Sequence, residues 1–337
     1  MVANTFCSVG NLAHTHFAAN VFSLPLKTEE HPRGIYSEHE LYLVLALIFV
    51  FIFFDVDPVK TFPLALGARE VTQQLGALIE ANVSFVSKTG WLSGITDKFH
   101  QQQGPLADYG VHMVRKLLQF GMSVEDAAWS QIFPTATAMV ANQAQVITQI
   151  MDFYLAEGGK AYWPDIVRLA KSNDDTADDE IFRYAMEAIR IHGTFGSYRS
   201  AAATTSLDDT GFSGSKEVKP GDKVFVSFVR ANRDPTIFPD PMQVKLDRPL
   251  ENYIHYGVGP HQCLGKDASQ VALTAMLKVM AGLEGLRPAP GPQGVLKKVP
   301  REDGFYAFMT EDEGKYFPFP TTWKLHFDGP LPKATYH

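Results

Sequence analysis

Apolar positions recur at helical rather than strand spacing through most of the first half of this chain. Val71 to Val86 and Leu106 to Gly121 carry apolar residues three and four apart, which predicts two amphipathic helices separated by a glycine-rich break at Gly90 to Gly94. Leu41 to Phe54, LYLVLALIFVFIFF, is apolar throughout and ends at Asp55 and Asp57. Ser37-Glu38-His39-Glu40 ahead of it has the form of a capping box and Pro58 follows, so a buried helix of about four turns is expected. Its 14 residues would span about 21 Å against a hydrocarbon thickness of about 30 Å, too little to cross a membrane. Peripheral contact with a lipid surface is the second expectation for this element. A longer helical pattern runs from Ser123 to Glu157, opened by a serine cap. Pro134 inside it predicts a kink, because proline removes a backbone donor and frees a carbonyl.

The pattern changes in the second half. Lys223 to Val229, KVFVSFV, reads as a strand behind the turn Pro220-Gly221-Asp222. Ala268, Val271, Ala272, Ala275, Val279 and Leu283 return to helical spacing, and the tail from Arg287 reads as loop and short strand, closing on a strand within Pro318 to Phe327. No internal repeat is present. The expected class is mainly α with a minor β portion, and 337 residues at 45% hydrophobic content read best as a single domain, 1–337.

Charge and cysteine usage narrow the classes. Thirty Lys and Arg against 37 Asp and Glu, with no long basic stretch, leave nucleic acid outside the expected partners. Cys7 and Cys263 are too few for a disulfide framework, which suits a reducing compartment. The start MVANTFCSVGNLAH has no basic region followed by an apolar run, so no secretory signal is read. The expected location is intracellular, cytoplasmic or peripheral to lipid membranes.

Cysteine chemistry concentrates at Tyr256 to Gly265, YGVGPHQCLG. Gly257, Gly259 and Gly265 allow close backbone approach to a flat macrocycle. Cys263 lies just ahead of a helical run, where backbone N–H groups are expected to favour its thiolate. This is an arrangement suited to a thiolate ligand of haem iron, with His261 placed to donate to a propionate. Upstream, Glu187 and Arg190 stand three apart on a predicted helix and can form a charge-assisted pair.

Together these features resemble the cytochrome P-450 superfamily. The loop matches the family's ligand loop, with Tyr256 in place of the usual Phe. The resemblance implies that Glu187 and Arg190 tie to a third partner in the meander Asn232 to Pro249, with Arg248 in that role. It also directs attention to the long helix. Where most members carry an acid followed by an alcohol to protonate bound dioxygen, this chain has Ala141-Asn142-Gln143-Ala144-Gln145. Asn142 and Gln145 share a helix face, and Gln143 lies about 100° away.

That run, the cysteine loop and the segment Asn11 to Tyr36 look like the C-terminal haem-thiolate domain of fungal linoleate diol synthases, also called psi-producing oxygenases. The resemblance implies haem b (iron protoporphyrin IX), Cys263 as axial iron ligand, and Tyr256, Gly257, His261 and Gly265 around the cofactor. Asn142 would steer O–O cleavage with Gln145 as helper. The implied reaction isomerises an 8-hydroperoxy C18 unsaturated acid to a dihydroxy acid without a reductase. The family's N-terminal dioxygenase domain is expected to be absent, as are the helices upstream of Val9, and haem retention is then expected to be weak. The rivals are a conventional monooxygenase, an epoxide- or allene-oxide-forming dehydratase, and a non-catalytic fragment.

Overall fold

The computed structural model describes residues 2–330 except 25, 28–31, 33, 54–57, 90–108, 157, 175, 195, 210–213, 302–305, 311 and 321; of residues 2–9, 58–60 and 89 it describes the backbone alone. In chain order the larger helices are α1 (Phe6–Phe22), α2 (Glu38–Phe53), α3 (Pro58–Thr89), α4 (Tyr109–Gln119), α5 (Phe133–Leu155), α6 (Trp163–Ala170), α7 (Ala177–His192), α8 (Phe228–Ala231) and α9 (Lys266–Gly282). The strands are β1 (Val2–Thr5), β2 (Gly196–Ser200), β3 (Thr205–Asp209), β4 (Gly214–Val218), β5 (Lys223–Ser227), β6 (Arg287–Pro288), β7 (Lys298–Pro300), β8 (Tyr306–Met309), β9 (Tyr316–Phe317) and β10 (Lys324–His326). Helix predominates, and every described strand except β1 lies in the second half. The chain divides into two compact units.

The first unit comprises Met1–Thr148, Leu283–Lys297 and Phe308–His337. Its core is helical, drawn from Ala18, Leu41, Leu45, Leu75, Val83 and Val114 among others. The capping box forms: the Ser37 N–H donates to Glu40 Oε2 at 2.8 Å and the Glu40 N–H to Ser37 Oγ at 3.3 Å, satisfying donors that the helix start leaves orphaned. α2 buries Leu41, Leu45, Ile48 and Phe49 but exposes Leu43, Ile52 and Phe53. The expectation of a buried element is therefore corrected to a helix with one apolar face inside and one open, since only one stripe of a helix can meet a single core. Among the described residues no helix is long and apolar enough to cross a membrane.

α3 absorbs the predicted Val71–Val86 helix into a longer one, with Pro63 in its second turn. Gly76 is required there: a Cβ would fall 1.9 Å from the Trp129 ring, whose indole N–H donates to Glu80 Oε2 at 2.9 Å. The predicted break at Gly90 to Gly94 lies outside the described residues. The helix expected from Leu106 is described from Tyr109. β10 runs antiparallel to β6 and β1, pairing Leu325 with Pro288 and His326 with Val2.

The long helical path opens on Ser123, whose Oγ accepts the Asp126 N–H at 3.0 Å. A π-helical stretch, Ala127–Ile132, precedes α5, and the Phe133 N–H reaches the Ala128 carbonyl. The kink expected at Pro134 is thus a widened turn immediately before it, a usual way for a helix to accommodate a missing donor.

The second unit comprises Gln149–Gly282 and Lys298–Ala307. α7 packs on α9 and α6, and these helices bury Ile166, Ile181, Ala185, Leu273 and Leu277. Tyr154, on the last turns of α5, donates to the Tyr184 carbonyl at 2.6 Å. β2 and β5 form an antiparallel pair from Gly196↔Ser227 to Ser200↔Lys223. The strand expected to reach Val229 ends at Ser227 because that residue caps α8, its Oγ accepting the Arg230 N–H at 3.3 Å.

Candidate active site

Cys263 is a free, exposed thiol in the second unit, three residues ahead of α9. Its N–H donates to the Tyr256 carbonyl at 2.8 Å, which closes the loop into a ring. Gly257 has φ 72 and a Cβ there would sit 3.1 Å from the His261 carbonyl oxygen, so the turn demands glycine. Gly259 is likewise left-handed, with φ 65. A Cβ on Gly265 would lie 3.8 Å from Cys263 Sγ, and its absence keeps the sulfur open. Tyr256 is half-buried with its hydroxyl 2.9 Å from Ser269 Oγ, and burial pushes it up to about 12. His261 is exposed on the same loop.

The expectation that helix N–H groups point to the sulfur is corrected. The Lys266 and Ser269 N–H groups bond to the carbonyls of Cys263 and Gly265, at 3.3 and 2.8 Å, and among the described residues none donates to Sγ. The N–H of the first helical residue, Lys266, is thus turned to the loop's own backbone. Leu264 is fully exposed and Val258 largely so, leaving apolar side chains uncovered beside an open sulfur. A soft ligand flanked by apolar surface fits an iron macrocycle.

Upstream of the loop, α7 and the meander form a buried charge cluster. Glu187 and Arg190, both 0% exposed, meet at 2.6 and 2.9 Å. Glu187 also accepts from Arg248 Nε at 3.3 Å, the Lys245 N–H at 2.9 Å and the Tyr253 hydroxyl at 2.7 Å. Arg190 donates onward to the carbonyls of Asn232, Pro241 and Gln243 at 3.1, 2.5 and 3.1 Å. The guanidinium groups of Arg190 and Arg248 lie 5.0 and 5.7 Å from the centre of the Phe238 ring. Every face of the buried ions is satisfied, the condition under which burying charge is tolerable. Tyr253, absent from the sequence reading, is raised by burial and by the adjoining Glu187. His255, two residues on, is buried with neither ring nitrogen hydrogen-bonded, and burial lowers it to about 3.

α5 carries a polar stripe through apolar surroundings. Asn142 is half-buried and makes no hydrogen bond to a described residue. Gln145 is buried and donates to the Pro318 carbonyl at 3.5 Å; Gln143 is buried on another face. Sequence reasoning missed two further members, Gln149 and Asp152, although spacings of three, four and three residues from Asn142 place all four on one face. Gln149 donates to Thr194 Oγ1 at 2.7 Å. Asp152 accepts from His192 at 2.7 Å and from Lys298 Nζ, which is 3.1 Å from His192 Nε2. Burial pushes the Asp152 carboxyl up, but the His192 hydrogen bond and the Lys298 charge outweigh it and hold it below the usual range.

Residues 186–281, which include the buried pair and the thiol loop, match the cytochrome P-450 family. Solved structures agree over nearly the whole chain. The open cytochrome P-450 EryK of S. erythraea superposes with a TM-score of 0.64 at 16% identity, covering 97% of this chain and 69% of that one. Cytochrome P-450 BioI, solved with a hexadec-9Z-enoic acid ligated acyl carrier protein, gives 0.59 at 20% identity over 94% and 66%. The chain has the cytochrome P-450 fold.

That fold implies a haem cofactor, and among the described residues of the second unit Cys263 offers a free, exposed thiol. Among relatives, a bifunctional dioxygenase–epoxy alcohol synthase of Fusarium oxysporum is 53% identical over 95% of this chain and 25% of its own length. Psi-producing oxygenase A of Aspergillus fumigatus is 47% identical over 97% and 30%, and linoleate diol synthase of Gaeumannomyces graminis 30% identical over 94% and 34%. The chain thus spans a quarter to a third of the length of these relatives.

Proposed function

We propose that this chain is a haem-thiolate isomerase of fatty acid hydroperoxides, acting on an 8-hydroperoxy C18 unsaturated acid and using haem b. The observation that carries the reading is the carboxamide pair of α5, with the Asn142 amide half-buried and uncommitted. Bound haem supplies an iron able to split an O–O bond, with the Cys263 thiolate as its electron-rich ligand. Asn142 has a donor but no acid proton, so it can stabilise an oxygen gaining negative charge without delivering the protons that dioxygen reduction needs. Gln145 is tied to the Pro318 carbonyl, which suits it to orient rather than to react. Isomerisation keeps both peroxide oxygens on the chain, so no reductase is needed. The relatives named above, whose names join dioxygenase, epoxy alcohol synthase and diol synthase activities, support this class.

Two relatives at 53% and 50% identity carry epoxy alcohol synthase in their names, which favours epoxy alcohol as the second product reading. Incubating haem-loaded protein with an 8-hydroperoxide, without reductase or NADPH, and resolving products by chromatography tests both. Asn142→Leu is expected to lower isomerisation by about 10²–10³, the worth of one such donor, and to shift products toward those of homolysis. Gln145→Leu is expected to do less. An unchanged product yield from Asn142→Leu removes that residue from the mechanism, and a strict NADPH requirement in the parent favours a monooxygenase.

A further inference from the structure

A half-open cleft of about 410 Å³ lies in the first unit, between the loop that follows β6 and the start of β10. Pro290, Pro292, Val295 and Trp323 give it apolar walls, and Lys297 and Lys324 bring two cationic side chains to the same space. All of these residues belong to one compact unit, and none of those assigned to the reaction lines the cleft. The volume falls within the range of about 300–1,000 Å³ usual for small-molecule sites. The two walls are tied to each other. The Ala289 N–H donates to the Lys324 carbonyl at 2.9 Å and the Trp323 indole N–H to the Gly294 carbonyl at 3.0 Å. Gly294 packs so closely that a Cβ there would fall 1.8 Å from the Ala289 carbonyl oxygen. Proline fixes its own φ and has no N–H, so Pro290 and Pro292 stiffen the rim and give it no backbone donor. A cleft braced in this way exists before a ligand arrives, which removes part of the ordering cost of binding.

Charge selects the ligand. No acidic residue lines the cleft, and among the described residues the Lys324 ammonium has no carboxylate partner. Lys297, with its side chain 21% exposed, holds the carboxylate of Glu313 at 3.0 Å, and Glu313, on the turn between β8 and β9, is 67% exposed. The chain's own carboxylate thus marks the kind of group that Lys297 accepts. An ion pair with so exposed a member is weak, and a carboxylate that brings an apolar body to bury can displace it. A cation would meet two like charges, and a small inorganic anion would gain nothing from the proline and tryptophan walls. We propose that this cleft binds an aliphatic monocarboxylate, its chain against Pro290, Pro292 and Trp323 and its head on Lys324 and Lys297. Such a ligand is held whether or not the chain converts a hydroperoxide.

The probe is decanoate carrying a terminal diazirine, added to the haem-loaded chain at about pH 7, where a carboxylic acid is ionised and lysine protonated. The label left on residues 290–297 and 322–324 is measured by mass spectrometry against probe concentration and against competing decanoate, 1-decanol, decylammonium and acetate. Labelling of these segments is expected to saturate, and decanoate to compete about tenfold better than any of the other three. Lys324→Gln is expected to raise the half-labelling concentration about tenfold. Glu313→Gln removes the competing carboxylate and is expected to lower it about two- to fivefold, a gain that loss of folding cannot produce. Label that does not saturate on these segments overturns the proposal, as does equal competition by decanoate and decanol. A Glu313→Gln variant that binds no more tightly than the parent overturns it too. Because the label is read at the cleft itself, a saturating response in protein that leaves an 8-hydroperoxide unconverted counts against the reaction and in favour of the cleft.

Discussion

Cys263 and His255 show how one loop assigns opposite duties to neighbouring side chains. Cys263 is left open by glycines that cannot cover it, whereas His255 is closed off with both nitrogens unpaired. Cys263→Ser is expected to abolish the thiolate-type Soret signature of haem-loaded protein and Cys7→Ser to leave it intact, as read by the carbon monoxide difference spectrum; equal behaviour of the two variants would falsify the ligand assignment. For His255 the sign follows from burial. Its folded value near 3 lies below the unfolded value of about 6.5, so between them the unfolded chain binds a proton that the folded chain refuses. Stability from this group is whole above about pH 6.5 and drains away as pH falls toward about 3. His255→Phe is expected to flatten that part of the stability curve in denaturant titrations at stepped pH. A slope unchanged by the substitution would mean that His255 is hydrated in the folded state.

At the scale of elements, the thiol loop and the carboxamides were legible because their chemistry depends on fixed local spacing. The Glu187–Arg190 pair was legible as three residues on a helix, but Tyr253 and the Lys245 N–H were not, because the meander brings them back from more than fifty residues away. Gln149 and Asp152 were missed for another reason: a polar residue on a long helix signals function only once its neighbours are known to be buried. α2 erred in the opposite direction, since an unbroken apolar run reads as buried all round although one face of it is open. The charge cluster yields the element-scale prediction. Arg190→Leu leaves Glu187 buried with its main partner gone, and such losses cost about 3–5 kcal/mol. Denaturant unfolding should register a loss of that order together with lower haem occupancy, and a change below about 1 kcal/mol would show that water compensates the carboxylate.

For the whole molecule, the mainly helical class with a small β portion followed from periodicity, and the cytochrome P-450 fold now stands on both the family match and the solved structures. The sequence reading favoured a single domain and did not locate the bounds of the two compact units, because the first unit gathers three separate stretches of chain and nothing in local pattern announces such a return. The functional account turns on one property of the whole reaction, that it moves oxygen within a molecule and takes none from outside. The most direct measurement supplies an 8-hydroperoxide carrying ¹⁸O at both peroxide positions to the haem-loaded chain in unlabelled water and air, without reductase, and weighs the oxygenated product. The account predicts a product holding both labelled oxygens. A product with one labelled oxygen and one drawn from water or air, or no product until NADPH and a reductase are added, would contradict it.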